Sequence, residues 1–240
     1  MTPFDFKEGE VLLFDKPIGA SSFAIVNRAR GIIRRKLQIK KIKVGHAGTL
    51  DPLATGLLVI CTGKKTKTIT SIQDAEKEYT GTITLGGTTP SYDLESEIDE
   101  IFPTDHITEE MIRETAQSFI GEQDQMPPIF SAKQVDGKRA YELARKGKEV
   151  KLSPKRITIR EFEIASVRND GDLEVDFRVS CSKGTYIRSL AHDFGKALKS
   201  GGHLSSLRRT RIGTFSVEDA ITTEQFQFML FGDESDSSRS

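Results

Sequence analysis

The chain is poor in cysteine and histidine, and it has no long apolar run. Its 240 residues include two cysteines and four histidines. Cys61 and Cys181 stand far apart inside apolar segments with no C-x-x-C spacing. They read as reduced core residues, not as a disulfide, metal or redox pair. His46, His106, His192 and His203 are scattered without ligand spacing, which argues against a catalytic metal. No apolar stretch approaches the roughly 20 residues of a membrane helix. The opening M-T-P-F-D-F-K-E-G-E has no apolar signal core, so the expectation is a cytoplasmic protein with no membrane association. Also missing are G-x-x-x-x-G-K-[ST], G-x-G-x-x-G after a strand, H-E-x-x-H, and H-x-E with P-C-x-x-C. Their absence argues against nucleotide-triphosphate, dinucleotide, zinc-protease and deaminase chemistry. If the chain is an enzyme, it must work with carboxylate, hydroxyl, guanidinium and backbone groups.

What is present describes an ordinary soluble globular protein, with 36% hydrophobic and 29% charged residues. The length suits one large domain or two small ones with a real core. The formal net charge of zero conceals a segregation. Arg28 to Lys43 holds eight basic residues and no acid; Asp93 to Asp124 holds eleven acids against Arg113 alone. Lys133 to Arg160 returns to ten basic residues and three acids. One such run is usually a solvated face. Two basic blocks around an acidic one suggest a local positive field for a polyanion, with the acidic stretch facing away from it.

Val11–Phe14 reads as a strand entering the turn Asp15-Lys16-Pro17-Ile18-Gly19. Ser21 or Ser22 then caps a helix with Phe23, Val26, Ile32 and Ile33 inward, a pattern Gly31 weakens. Leu57–Cys61 is a continuous apolar run and reads as a buried strand. Glu78–Gly87 is β-rich and ends in a glycine turn. Leu173 to Cys181 alternates apolar and polar residues, the period of a strand with one face in the core. Helical spacing marks Thr108–Ile120, Tyr141–Lys146, Thr222–Phe231 and Tyr186–Leu198, the last with Ile187, Leu190, Ala191, Phe194 and Leu198 in one stripe. Without a regular βαβ rhythm, the expected fold class is α+β, a mixed, mostly antiparallel sheet flanked by helices. No linker divides the body, and the polar tail 233–240 is expected to be disordered.

The densest chemistry lies in G-H-A-G-T-L-D-P-L-A-T-G, Gly45 to Gly56. Asp51 precedes a proline, which biases it to extended backbone and lets it project from a loop. Gly45 and Gly48 lack side chains and permit close approach of a large planar group. An Asx-type turn capping the segment from Leu53 would also account for an Asp-Pro pair. The rigid strand Leu57–Cys61 behind the loop favours an active role.

This stretch closely resembles the catalytic motif of the TruB family of tRNA pseudouridine synthases. Phe14-Asp15-Lys16-Pro17-Ile18-Gly19-Ala20-Ser21-Ser22 looks like the family's Lys-Pro motif, and Lys77-Glu78-Tyr79-Thr80-Gly81 like its tyrosine motif. Pro127–Lys133 with Gly137–Arg145 resembles its RNA-gripping insertion, near 124–155. Cys181–Leu190 and Leu207-Arg208-Arg209 complete the series in family order, from about Val11 to about Phe231.

The resemblance implies one pseudouridine synthase catalytic domain over 1–232. It would turn the uridine at position 55 of the tRNA T-arm into pseudouridine, with no cofactor and no metal. Asp51 would be the nucleophile, Arg188 its ion-pair partner, and Tyr79 would pack against the flipped uracil. His46 would fill the space the base leaves. Tyr186 and Leu207 would line the pocket, though both could equally be core. Lys16 with Pro17 would brace the active loop. After Thr222–Phe231 too few residues follow for the PUA domain of many bacterial members, so a shorter RNA footprint is expected. The expected partner is tRNA alone, with no obligate protein partner and a monomeric enzyme. A second reading is an RNA-folding module whose catalysis is secondary.

Overall fold

The computed structural model describes residues 4–128, 134–135, 138–139 and 152–232. Its strands are β1 Val11–Lys16, β2 Val44–His46, β3 Thr55–Thr62, β4 Lys77–Leu85, β5 Gly87–Thr88, β6 Glu100–Ile101 and β7 Gly121–Gln125. They continue with β8 Gln134–Val135, β9 Lys138–Arg139, β10 Lys155–Asn169, β11 Leu173–Cys181, β12 Gly202–Ile212 and β13 Phe215–Ser216. The α-helices are α1 Ser22–Leu37, α2 Ile69–Asp74, α3 Glu109–Ser118, α4 Ile187–Ala197 and α5 Thr223–Phe231. The fold is α+β, mixed and mostly antiparallel, as expected. It divides into two compact units, 1–77 with 208–240, and 78–207. The helix expected at Tyr141–Lys146, most of the expected insertion and the tail 233–240 lie outside the described residues.

In the first unit β3 is the organising strand. Its run T-G-L-L-V-I-C-T is buried from Gly56 onward, and it pairs antiparallel with β1 and with β2. Successive side chains of a strand face opposite ways. Leu58 and Ile60 therefore join Leu12 and Phe14 in a core with Ile25, Val26, Ile32 and Ile33 of α1 and Phe226 of α5. Leu57 and Val59 join Ala47, Ile212 and Val217 in another. Each large apolar side chain so buried contributes about 1.5–3 kcal/mol, enough to hold α1 in place without help from its interior Gly31. Ser21 is the N-cap, accepting from Ala24 N at 3.1 Å, and Gln38 ends the helix in the left-handed region. Phe23 departs from expectation. The buried stripe is Ser22, Ile25, Val26, Ala29, Ile32 and Ile33, while Phe23 lies off it and is 62% exposed.

The parallel pairing occurs where Arg208 and Arg209 of β12 meet Thr55 and Gly56 of β3. Gly56 has φ +98°, and a Cβ there would sit 2.3 Å from the Arg209 carbonyl oxygen. Only glycine admits so close a crossing.

In the second unit the strand order is β12, β4, β11, β10, β7. β11 follows the alternation read from the sequence, with Leu173, Val175, Phe177, Val179 and Cys181 buried. Fifteen-residue β10 pairs with it through two register shifts, at Ile159/Glu161 and Ile164/Ser166. Those irregularities break period 2 and kept this strand from standing out in the sequence. The α4 stripe Ile187, Leu190, Ala191, Phe194 and Leu198 is wholly buried, with Phe194 against Phe162 at 5.3 Å between ring centres. Among the described residues, no helix is long and apolar enough to cross a membrane.

Candidate active site

Asp51 sits in the loop between β2 and β3 and is half-buried. The turn after it is closed main chain to main chain, Ala54 N donating to Asp51 O at 3.1 Å. That bond does not require the carboxylate, so the turn alone is no reason for an acid here.

Three side chains of the same unit brace this loop. Lys16, at the end of β1, is fully buried, and its Nζ donates to Pro17 O at 3.0 Å, Ala20 O at 2.7 Å and Pro52 O at 3.2 Å. An ammonium has three protons, and each finds a carbonyl. Burial pulls the Lys16 pKa down to about 8; the Asp51 charge pushes it back up and Arg209 adds to the lowering. The Lys16 side chain therefore lies within electrostatic reach of Asp51. Ser22 grips the other flank of the loop, its Oγ accepting from Leu50 N at 2.8 Å and donating to Leu50 O at 3.1 Å. Ser21 caps α1, leaving Ser22 for this task.

The third brace is Arg209, 1% exposed. Its Nε donates to Leu57 O at 2.9 Å, Nη2 to Gly48 O at 3.1 Å, and Nη1 approaches Thr49 O at 3.4 Å. A buried guanidinium here satisfies carbonyls just before and just after the Asp51 turn. A Cβ on Gly48, at φ +100°, would lie 3.5 Å from Arg209 Nη1, and one on Gly45 would lie 2.8 Å from Ile69 Cδ1. Gly45 thus makes room for the Ile69 side chain, whereas Gly48 is required by its positive φ rather than by space. His46 ends β2 opposite Ile60. Burial lowers its pKa, the Gly48 carbonyl opposes this, and the Arg209 charge reinforces it. Next along β12, Arg208 holds Asp15 in a two-pronged ion pair at 3.0 and 2.7 Å.

The remaining expected residues belong to the second unit. Tyr79 is buried on β4 at 8% exposure. Arg188 is the second residue of α4 and is 4% exposed. A cation in the first turn of a helix opposes the helix dipole. Asp93 offsets this, with Oδ2 3.6 Å from Arg188 Nε, while Nη1 donates to Ser91 O at 3.1 Å. Asp93 is itself only 4% exposed, unlike the solvated acid run to which its sequence assigns it. Its loop is anchored: Thr89 Oγ1 donates to Asp93 O at 2.7 Å and Leu204 N to Tyr92 O at 2.9 Å. Tyr186 caps α4 half-buried, its N and O both bonded to the Gln125 side chain, at 2.8 and 3.0 Å. Leu207 is half-buried on β12.

Lys16, Pro17, His46 and Asp51 are therefore grouped in one unit, and Tyr79, Tyr186, Arg188 and Leu207 belong to the other. Ser22, Arg209 and Asp93 are the contributors the sequence reading passed over. Arg209 had a signal, its place in Leu207-Arg208-Arg209; Asp93 had none beyond its acidic neighbours.

Residues 34–187 match the family described as TruB family pseudouridylate synthase (N terminal domain), and residues 188–239 match the tRNA pseudouridylate synthase B C-terminal domain. The chain is 57% identical over 231 residues to a tRNA pseudouridine synthase B of Flavobacterium johnsoniae, covering 96% of this chain and 100% of that protein. It is 58% identical over 222 residues to one of Phocaeicola vulgatus, covering 92% and 93%. Among solved structures it resembles a chain of the archaeal box H/ACA sRNP Nop10–Cbf5 complex, with 28% identity and a TM-score of 0.65, and a chain of a Cbf5–Nop10–Gar1 complex, with 31% and 0.66. It spans 56% of each of those chains.

Proposed function

The chain belongs to the TruB family of pseudouridylate synthases, and from that premise we propose that it isomerises uridine 55 in the T-arm of tRNA with Asp51 as nucleophile. The C1′–N1 bond breaks, the uracil turns over, a C1′–C5 bond forms, and the hydrogen of C5 is replaced by one gained at N1. Atoms and electrons balance within the substrate and water, so no redox partner is required.

One observation carries the reading: the Asp51 loop is braced from inside by Lys16 on Pro52, by Ser22 on Leu50 and by Arg209 on Gly48. A nucleophile must hold its position to within a fraction of an ångström, and buried charge-assisted hydrogen bonds supply that. Lys16 adds a cation that senses the Asp51 charge. We assign Arg188, held by Asp93, as the cation that accompanies Asp51 during the reaction, and Tyr79 as the ring against the flipped uracil. His46 occupies the space vacated by the base; Tyr186 and Leu207 line the pocket. Residues 1–232 form the catalytic domain, and the region near 124–155 grips the RNA. The enzyme acts as a cytoplasmic monomer. Cys61 and Cys181 are buried as thiols, which suits a reducing compartment.

The test uses an unmodified T-arm stem-loop tritiated at uridine C5. Wild type releases tritium from one uridine, mapped to position 55. Asp51→Asn releases none while binding the RNA within a few-fold. Continued turnover by that variant would show the nucleophile to be another residue.

A further inference from the structure

Two large apolar side chains stand in solvent beside the braced loop. Ile18 is 68% exposed and Phe23 is 62% exposed. Each is one residue from a contact to the Asp51 turn. Gly19 N donates to Pro52 O at 2.8 Å, and Ser22 Oγ bonds Leu50 through both its main-chain groups. Pro17 and Pro52 are exposed as well, so apolar surface surrounds the turn that carries Asp51.

Arg28, nearest to this patch, pairs with Glu224 at 2.8 Å, and about 16 Å farther along α1 the surface turns cationic. α1 contains no acidic residue, and its exposed face carries Arg34 and Arg35, followed by exposed Lys40, Lys41 and Lys43. Phe23, Asn27, Arg30 and Arg34 follow the spacing of one helical stripe. An aromatic side chain in line with cations is the composition of a surface that stacks a nucleobase while tracking its backbone. A protein partner would call for a larger apolar area, and an acid-free helix would repel a basic one.

We propose that Phe23, with Ile18 at its edge, is a docking platform for a nucleobase of the substrate RNA next to the uridine that enters the site. Turning one base out of a stack leaves its neighbour with an uncovered face. Phe23 covers that face, and the patch recovers part of the unstacking cost at the point where it arises. This rests on the RNA-modifying reading above and adds to it a contact that reads neither phosphate nor base edge.

The test measures binding of the unmodified T-arm stem-loop by fluorescence anisotropy across a salt series, and single-turnover tritium release, for the full chain. Phe23→Ala weakens binding about 5- to 100-fold, the range for loss of one stacked base. Its dependence on log salt concentration is unchanged, because no phosphate contact is lost. Phe23→Tyr keeps wild-type affinity, Phe23→Leu does not, and Ile18→Ser loses less than Phe23→Ala. Arg34→Glu with Arg35→Glu instead makes the salt slope shallower. Circular dichroism and urea midpoints match wild type for the Phe23 and Ile18 variants, since both side chains are exposed. Binding within twofold for Phe23→Ala overturns the proposal, as does a change of sedimentation coefficient with RNA affinity intact, which would mark the patch as an interface between copies. If wild type itself releases no tritium from this RNA, the functional reading fails, independently of Phe23.

Discussion

Replacing Arg209 by methionine isolates one of the buried braces of the Asp51 loop. The methionine keeps most of the apolar stem, so little cavity forms. Among what disappears are donations from the guanidinium to Leu57 O at 2.9 Å and Gly48 O at 3.1 Å, with Thr49 O at 3.4 Å too long to count for much. A hydrogen bond to a charged group is worth about 1.5–3 kcal/mol, so these two contribute about 3–6 kcal/mol. Two corrections reduce it. Thr49 is exposed and Gly48 half-buried, so water can re-satisfy that side, and removing a buried charge recovers desolvation cost. The expected loss is about 2–4 kcal/mol, read as a lower urea midpoint at unchanged m. At a temperature where the variant remains folded, single-turnover tritium release falls by about 10- to 100-fold through misplacement of Asp51, with little change in RNA affinity. Arg209→Lys keeps the charge but not the fork, and should fall between. Stability within about 0.5 kcal/mol of wild type and a turnover rate within twofold would refute the claim that this guanidinium shapes the loop.

Lys16 sets a pH dependence. Its folded pKa of about 8 lies below the ordinary 10.5, so across that window the unfolded chain binds more protons and this group makes stability rise with pH. The neutral amine, however, offers two donors to three carbonyls, so turnover should decline above about pH 8. Lys16→Met should start lower and lack that decline; a decline unchanged in the variant would assign it to another group. Asp93→Asn removes the buried carboxylate that lies 3.6 Å from the Arg188 Nε. It should cost about 2–4 kcal/mol and cut turnover more than RNA affinity, with wild-type turnover as the contrary result. Gly56→Ala places a methyl 2.3 Å from Arg209 O and should leave little folded protein; a soluble variant with an unchanged melting temperature would contradict the described crossing of β3 and β12.

Elements whose burial follows a single period were among the legible ones. β11 alternates and α4 carries one apolar stripe, and both lie where the letters place them. β10 has as many apolar residues, but its two register shifts move side chains from one face to the other and erase the alternation. Phe23 shows the opposite limit. Apolarity put it on the inner face of α1, yet the stripe through Ile25, Ala29 and Ile32 leaves it outside. A large exposed aromatic breaks the correlation between apolar and buried on which that placement relied.

The site divides along the same physical line. Asp51 and the glycines around it could be found because loop chemistry is local: a proline, a turn and a close approach each demand a residue type within a few positions; Lys16 entered only through the family resemblance. The burial of Arg209 and Asp93 could not be found, because it is decided by chain about a hundred residues away or more. Arg209 Nε reaches Leu57 across 152 residues, and Arg188 reaches Ser91 across 97. In a chain with 35 basic and 35 acidic residues, one arginine or one aspartate carries no mark of being dry. A buried charge costs several kcal/mol unless it is paired, so a fold keeps it only where its partners hold it firmly. Those partners here are the carbonyls of the Asp51 loop for Arg209, and Asp93 with the Ser91 carbonyl for Arg188.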